Sequence, residues 1–234
     1  MRSLAWTMRS LTWTVLLPAL LSLAGAQTRP DAPAASAAVT LPADVNPETR
    51  SRFPPVRRED MQEGSRKYFD AQPTGGTPVL QRGPQHLYLY SPALAETMGR
   101  FNAAIRDEGV INARLSEIAI MVVARETDQK FVWAAHETAG SRAGVEQPII
   151  DAIKFNRDLT GIPEKEAVLI RYARQLLREH KVSPDLFAKS VDLFGRQGVI
   201  ELTAMMGHYM AIGLLLDAAD QQLPPNTTAL LPTR

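Results

Sequence analysis

The sequence predicts an all-α fold, a compact helical bundle preceded by a long leader. From residue 88 onward, apolar side chains recur at helical spacing, and no window shows the alternation typical of a β-strand. The same region carries helix start and stop signals, namely Ser-Pro pairs and single glycines. Hydrophobic residues make up 45% of the 234 residues, which is enough for the core of one domain. We therefore place one helical domain at residues 88–220.

The first 26 residues have the features of a secretory signal peptide. Their only charges are Arg2 and Arg9, which precede an apolar run at residues 15–23 and an Ala-Gly-Ala sequence that ends at Ala26. This order of basic, apolar and small residues is typical of a cleaved signal, and the run is too short to span a bilayer. We predict cleavage after Ala26 and a periplasmic or secreted product with no stable membrane insertion. The alternative is an N-terminal anchor that is retained.

Residues 27–87 are predicted to be a Pro-rich disordered linker and loop. Residues 27–57 are rich in Pro, Ala, Thr and Arg and show no apolar period. A short helix is expected within residues 58–72, and the Gly and Pro residues of 73–86 predict a loop. At the other end of the chain, residues 221–234 are predicted to form a loose tail.

Seven helices are predicted within the helical domain. Pro92 and Pro184 each follow a serine, as is common at the first position of a helix. Gly144 suits a left-handed helix end, and Gly195 is expected to end another helix. The predicted helices cover residues 92–107, 114–126, 129–143, 146–156, 163–180, 184–195 and 198–219.

Composition excludes several classes of chemistry. The chain has no cysteine, so disulfides, Cys-ligated zinc, iron–sulfur clusters and cysteine nucleophiles are absent. The formal net charge of +1 provides no field that would attract nucleic acid. Neither a zinc-binding His-x-x-x-His spacing nor a glycine-rich phosphate loop occurs. We therefore predict a small-molecule partner, with no metal and no cofactor.

His136 is the first candidate for chemistry. Its neighbours at helical spacing include Val132, Ala139 and Gly140, so it lies on an apolar face where another helix can approach closely. A buried imidazole needs hydrogen-bond partners and can have a shifted pKa. Spacing alone favours a structural histidine over a functional one.

Glu117 is the second candidate, and periodicity leaves its orientation open. It follows Ser116 in the first turn of a helix, where a carboxylate complements the helix dipole. It also shares a face with Met121, which would point it into the bundle. If it points inward, it can orient a histidine and stabilise the charged imidazole. His208 and Tyr209 are adjacent, so we expect one to line a pocket and the other to meet solvent or a subunit.

These residues carry a resemblance to the carboxymuconolactone decarboxylase family, in its cysteine-less form. The strings that carry the resemblance are LSEIAIMVVAR at 115–125, WAAH at 133–136, AGV at 143–145, GVIELT at 198–203 and GHY at 207–209. The family implies an all-α fold of the AhpD type, whose helical hairpins associate into trimers or hexamers. Its peroxidase branch has a Cys-x-x-Cys motif, and the two sulfur positions fall on Gln129 and Val132 here.

The resemblance implies an exported lyase that acts on a carboxylated lactone or a related small acid by proton transfer. His136 is the implied general acid and base, and Glu117 is its partner. The residues assigned to substrate binding are Arg125, Trp133, His208 and Tyr209.

Two alternatives stay open at this point. The same helices could form a non-enzymatic scaffold or small-molecule binder of the same fold. An alkylhydroperoxidase-like antioxidant protein is a further alternative, but the chain lacks the cysteines of that branch. An enzyme predicts that Glu117 and His136 face one solvent-accessible cavity, whereas a scaffold predicts a closed core.

Overall fold

The computed structural model describes residues 40–70 and 82–232, and over these ranges the fold is all-α, as predicted. The only extended pairing in the described ranges is an isolated antiparallel bridge between Asn46 and Ser51. The helices of this part of the chain are α1 (Glu63–Asp70), α2 (Gly83–Tyr88), α3 (Pro92–Arg106), α4 (Ala113–Glu126), α5 (Lys130–Arg142), α6 (Gln147–Lys154), α7 (Glu164–Glu179) and α8 (Pro184–Ala218).

Helix α4 is the centre of the bundle. Every residue from Leu115 to Arg125 is buried, and α5, α6, α7 and α8 all pack against the helix. A helix that is apolar on nearly all sides is stable only inside a core. Its start is fixed by Asn112, whose side-chain oxygen accepts a hydrogen bond from the Leu115 backbone N–H at 3.0 Å. Glu117 therefore enters the core one turn after a well-defined helix start.

Helix α8 combines the two helices predicted at 184–195 and 198–219. Gly195 has φ of 70° and ψ of 167°, so the helix breaks there as predicted, but it resumes without an intervening loop. Glycine adopts this left-handed φ without strain, which explains its position at the kink. Within the described ranges, α8 is the one helix long and apolar enough to cross a membrane, but half of its apolar window is buried inside the bundle. Core packing therefore accounts for the buried half of this window.

The predicted starts and ends of the helices are formed in different ways in the structure. Pro92 and Pro184 begin helices as expected, but neither preceding serine caps its helix with a side-chain hydrogen bond. Gly144 has φ of +82°, the left-handed conformation predicted for it. At the end of α7 the same role falls to His180, with φ of 55°.

The prediction of a disordered linker is wrong for residues 40–57. The backbone of this segment pairs with the end of α8, where the Arg52 N–H donates to the Ala219 carbonyl at 2.8 Å and the Gln222 N–H donates to the Arg50 carbonyl at 2.7 Å. Helix α1 then packs on α3, and Met61, Phe69 and Leu89 form a small second core. These contacts join positions far apart in sequence, so local composition does not reveal them. The predicted signal peptide and residues 27–39 lie outside the described residues.

Two further differences concern predicted loops. Helix α2 begins at Gly83, which has φ of +70° and is followed by Pro84, whereas the sequence predicts a loop from these two residues. Proline is also favoured at the start of a helix, and tertiary packing decides between the two. The predicted loose tail packs in part, since Leu231 is buried in the main core.

Candidate active site

The two residues predicted for proton transfer meet inside the bundle. Helix α4 presents Glu117 and helix α5 presents His136, and Nδ1 of the imidazole lies 2.6 Å from Oε2 of the carboxylate. The Glu117 side chain is 3% exposed, whereas that of His136 is 16% exposed. Gly140 on α5 permits this close approach, since a Cβ at that position would lie 3.0 Å from Met121. The inward orientation of Glu117, left open by the sequence, is therefore the one observed.

Arg106 and Tyr209 complete a four-residue cluster. Arg106 lies in the last turn of α3. Its Nη2 donates a hydrogen bond to Oε1 of Glu117, and its Nη1 donates one to the Tyr209 hydroxyl at 2.7 Å. The Tyr209 ring lies edge-on to His136, with ring centroids 5.0 Å apart. We call these residues the relay cluster: Arg106, Glu117, His136 and Tyr209.

The electrostatics of the relay cluster keep Glu117 ionised. Burial opposes ionisation, but the hydrogen bonds and charges of His136 and Arg106 outweigh it and hold the pKa of the carboxyl below its ordinary value. Burial likewise opposes the charge on Arg106, yet Tyr209 and Glu117 raise its pKa. Burial also raises the pKa of Tyr209, so its hydroxyl stays protonated at neutral pH. The cluster is thus an ion pair with a neutral phenol.

This arrangement determines which nitrogen of His136 can do chemistry. Because Glu117 is ionised and accepts, Nδ1 must donate, which assigns the Nδ1–H tautomer to the neutral ring. Within residues 40–70 and 82–232, Nε2 has no hydrogen-bond partner. A carboxylate that fixes one nitrogen and leaves the other free is the arrangement used by general acid–base histidines. His136 can therefore take or give a proton at Nε2.

The predicted pair His208 and Tyr209 are both buried, each 5% exposed, so the expectation that one would meet solvent or a subunit is wrong. The His208 ring packs against Tyr209 with centroids 5.4 Å apart, and against Phe101 at 5.1 Å. Burial, followed by the charge on Arg106, lowers the pKa of His208 below its ordinary value. Both residues therefore line the interior on the α8 side of the relay cluster.

Arg125 and Trp133, predicted to bind substrate, lie outside the relay cluster. The guanidinium of Arg125 donates to Asp128 and to the Pro232 carbonyl, both at 3.2 Å. Eight residues along a helix correspond to about 12 Å and a rotation of about 80°, so Arg125 cannot reach the level of Glu117. The Trp133 indole is fully buried.

Trp133 instead belongs to a second polar cluster on α5. Its indole N–H donates to Oε2 of Glu137 at 2.6 Å, and Lys154 donates to both oxygens of that carboxylate at 3.0 Å. The Lys154 ammonium also lies 5.7 Å from the centre of the Trp133 ring. We call Trp133, Glu137 and Lys154 the structural cluster, since its polar atoms bind one another.

The sequence analysis did not predict Arg106. This arginine, and not the predicted Arg125, is the cation that contacts Glu117. Its partners lie 11 and 103 residues away in the chain, at Glu117 and Tyr209. The one local signal is its place as the basic residue in the last turn of α3, which is common for structural reasons. No motif could therefore have separated it from the other surface arginines.

The two positions that the sequence resemblance assigns to the sulfurs of the peroxidase branch hold Gln129 and Val132. Gln129 and Val132 are both buried, and the Gln129 amide donates to Asp217 at 2.8 Å. A side chain at Gly213 would place its Cβ 2.2 Å from Gln129, so this glycine makes room for the amide. The position is thus adapted to glutamine and carries no nucleophile.

A cavity of about 310 Å³ lies between α5 and the C-terminal segment 224–229. Phe131, Ala134, Ala135 and Thr138 line it from α5, and His136 does not, because it points from a different side of the helix. Across residues 40–70 and 82–232, no three His, Asp or Glu side chains come together to hold a metal ion. The relay cluster meets solvent instead through the side chains of His136 and Arg106, which are 16% and 24% exposed.

Fold comparison defines the class of protein: the chain has the AhpD-like helical fold. One similar structure is an alkylhydroperoxidase AhpD core, an uncharacterized peroxidase-related protein from Ralstonia eutropha JMP134, with a TM-score of 0.63, 12% identity and coverage of 77% of this chain and 95% of that one. Another is an uncharacterized peroxidase-related protein from Silicibacter sp. TM1040, with a TM-score of 0.63, 11% identity and coverage of 80% and 98%. No family model and no curated protein matches the sequence. At this identity the likeness concerns the fold.

Proposed function

We propose that this protein is a cysteine-less carboxymuconolactone decarboxylase-like lyase that acts on a carboxylated lactone or a related small acid. The observation that carries the proposal is the 2.6 Å contact between His136 and the ionised Glu117, together with an Nε2 that has no partner among the described residues. This pair performs proton transfer without a sulfur nucleophile, a metal or a redox cofactor.

The proposed reaction has two steps. In the first, the bond between the ring carbon and the carboxylate breaks, CO₂ leaves, and the electron pair delocalises into a dienolate. In the second, the protonated His136 donates its Nε2 proton to carbon, and the neutral imidazole regains a proton from water. Glu117 stabilises the imidazolium between the steps, which is the function of a buried carboxylate beside a catalytic histidine.

Arg106 is the proposed binding group for the substrate carboxylate. It has five N–H donors, two of which bind Glu117 and Tyr209, and its side chain is 24% exposed. The other donors of Arg106 have no partner in the part of the chain that the structure describes, and a guanidinium with such donors beside a partly exposed imidazole suits an anionic substrate. Tyr209 fixes the orientation of the guanidinium and forms one wall next to the His136 ring.

The test is a substrate screen on the protein without residues 1–26. The screen includes carboxylated lactones and carboxylated products of aromatic breakdown, and CO₂ release is measured by a coupled assay. We expect turnover of at least one carboxylated lactone, and its loss in His136→Gln and His136→Ala. Turnover that is unchanged in both variants would show that His136 is not the acid–base group.

The competing proposal is a non-enzymatic scaffold or binding protein of the same fold. It is supported by the near-complete burial of Glu117, which is 3% exposed. The partial exposure of His136 favours the enzyme instead. A peroxidase role is less well supported, because neither Gln129 nor Val132 can supply a thiol. Absence of any turnover, together with a variant of His136 that is less stable than the wild type, would favour the scaffold.

We further propose that the chain forms a homo-oligomer, either a trimer or a hexamer. Helix α8 exposes an apolar stripe that includes Ile200 at 69% and Leu214 at 65%, and Phe101 on α3 is 40% exposed. Exposed apolar stripes on a helix are typical of subunit interfaces. Light scattering should give the mass of the assembly, and Leu214→Lys should reduce it to the monomer. A monomeric wild type would contradict this proposal.

Export is the remaining part of the proposed function. Residues 1–26 have the order of regions found in cleaved signals, as set out above. Mass spectrometry of the protein recovered from a periplasmic extract should give an N-terminus at Gln27. Recovery of the intact chain from the membrane fraction would instead indicate a retained anchor.

A further inference from the structure

The outer side of helix α8 is apolar over the part that follows the kink at Gly195. Ile200, Met210 and Leu214 are 69%, 37% and 65% exposed there, and Gly207 is exposed between them. No charged residue is exposed from residue 200 to residue 214. We call Ile200, Gly207, Met210 and Leu214 the α8 face. An exposed apolar surface of this length, about 21 Å along the helix, is typical of contact with another macromolecule.

The spacing of the α8 face makes it complementary to a second copy of itself. Gly207 lies midway between Ile200 and Leu214, seven residues from each. Seven residues are nearly two helical turns, so the three residues project from nearly the same side of the helix. If a second copy of the helix runs antiparallel, a two-fold axis at Gly207 brings each Ile200 against the partner's Leu214. A two-fold interface requires such a self-complementary surface.

Internal packing does not explain the glycine at the centre of this face. A Cβ at Gly207 would meet no heavy atom of the described residues within 4 Å, and a glycine inside a helix costs about 1 kcal/mol relative to alanine. Gly99 on α3 is similarly open, so an open glycine alone identifies no interface. At the centre of the α8 face, however, the missing side chain lets two helix axes approach to the short end of their usual range of about 8–10 Å.

Charges at the two ends of the α8 face select the antiparallel orientation. Arg196 is exposed before Ile200, and Asp217 is exposed after Leu214. The Asp217 carboxylate also accepts a hydrogen bond from Gln129, which fixes its position at this end of the helix. Antiparallel helices bring each Arg196 near the partner's Asp217, whereas parallel helices would place like charges side by side. Like charges that meet across an interface cost free energy, so the antiparallel pair is favoured.

We propose that α8 pairs antiparallel with α8 of a second copy of this chain, about a two-fold axis at Gly207. The inference deepens the homo-oligomer proposed above and rests on it. A two-fold contact gives an even number of subunits, so it selects the hexamer over the trimer. His208 directly follows Gly207, and its ring contacts Phe101 and Tyr209. The contact therefore lies next to the relay cluster.

The test uses the absence of cysteine, because thiols are then present only where they are introduced. The double variant Ile200→Cys/Leu214→Cys is treated with a short bis-maleimide and separated on a denaturing gel. Antiparallel pairing should convert most of the double variant into covalent dimers and into nothing larger. Each single variant should stay free of cross-links, because equivalent positions of the two copies are about 21 Å apart along the helices.

A second variant tests the crossing point. Gly207→Leu should lower the mass of the assembly in light scattering and abolish the cross-links of the double variant, because the added side chain separates the helices. Its helix content in circular dichroism should stay unchanged, since the chain itself leaves room at this position. Gly99→Leu is the matched control, because Gly99 is an equally open helical glycine outside the α8 face. It should leave both the mass and the cross-links unchanged.

The outcomes separate this inference from the homo-oligomer on which it rests. Cross-linking of either single variant to itself would indicate parallel helices and overturn the antiparallel pair. A trimer that forms no cross-links would overturn the pairing and leave the homo-oligomer standing, whereas a monomeric wild type would overturn both. Binding of the monomer to phosphatidylglycerol vesicles, abolished by Leu214→Lys, would show that the α8 face contacts lipid and would overturn the pairing.

Discussion

Two polar clusters include residues of helix α5, and they differ in whether every polar atom has a partner. In the structural cluster, both oxygens of Glu137 accept hydrogen bonds from Trp133 or Lys154, and the ammonium and indole bind the same carboxylate. In the relay cluster, Glu117 is equally well paired, but Nε2 of His136 has no partner among the described residues.

The difference shows how a candidate functional site can be distinguished from a cluster of polar residues that only stabilises the core. A cluster whose members satisfy one another contributes stability and leaves nothing for a ligand. A cluster with an unpaired, partly exposed nitrogen gives up some stability and keeps a bonding capacity for another molecule. The type of residue alone does not distinguish the two, since each cluster joins a carboxylate to a basic group.

The largest expected effect separates the clusters by activity. His136→Gln should reduce kcat/KM on a carboxylated lactone by about 10²- to 10⁴-fold, the contribution typical of a general acid–base group. Lys154→Gln, in the structural cluster, should keep turnover near the wild-type value. Steady-state kinetics of the two variants provide the measurement. Equal losses in both would mean that the clusters do not differ in function.

The next largest expected effect distinguishes the structural cluster from the relay cluster by its contribution to the free energy of unfolding. Trp133→Ala should lower the free energy of unfolding by about 3–5 kcal/mol, because it opens a cavity in the core and leaves Glu137 with one donor fewer. Urea denaturation followed by circular dichroism measures this change. Phe155→Ala is the control, because that ring is 48% exposed. A loss for Trp133→Ala no larger than for the control would contradict the structural role.

A smaller effect sharpens the assignment of the substrate cation. Arg106→Met should raise KM for the carboxylated lactone by about 10- to 100-fold, as expected for a lost charge-assisted hydrogen bond. Arg125→Met should leave KM unchanged, because Arg125 binds Asp128 and Pro232 instead. The methyl ester of the substrate, which cannot lose CO₂, should inhibit Arg106→Met and the wild type equally as a competitive inhibitor. A larger effect from Arg125→Met would reverse the assignment.

The smallest effect concerns pH. Because the pKa of Glu117 is lower in the folded chain than its ordinary value of 4.5, its ionised form stabilises the fold above that pH. This contribution is lost as the pH falls through the folded-state pKa. Glu117→Gln should therefore cost about 1–3 kcal/mol at neutral pH, for the buried donors it leaves poorly paired.

The difference in unfolding free energy between Glu117→Gln and the wild type should shrink as the solution is acidified below pH 4.5. Denaturant unfolding at a series of pH values measures it. The exposed Glu96 provides the control, and Glu96→Gln should follow the wild-type curve at every pH. A difference that stays constant on acidification would show that the Glu117 carboxylate does not stabilise the fold.

The sequence is sufficient for the main helices and for three of the four relay-cluster residues, since only Arg106 was not predicted. Helices α3 to α7 lie within a few residues of their predicted bounds, because each has its own periodicity and end signals. Glu117 and His136 were identified by residue type, apolar surroundings and family resemblance. The sequence analysis did not predict that residues 40–57 pack against the bundle or that helix α2 forms. The prolines of both segments and Gly83 of α2 are found in loops as well as in packed structure.

The physical reason for this division is the range of the interactions involved. Helix formation depends on residues three or four apart, so the sequence by itself determined the all-α class and placed Glu117 and His136 in consecutive helices. Their 2.6 Å contact and the joining of Arg106 to Tyr209 across 103 residues were decided by tertiary packing. Packing also placed Arg125 and Trp133 away from the relay cluster, although both are near it in the chain.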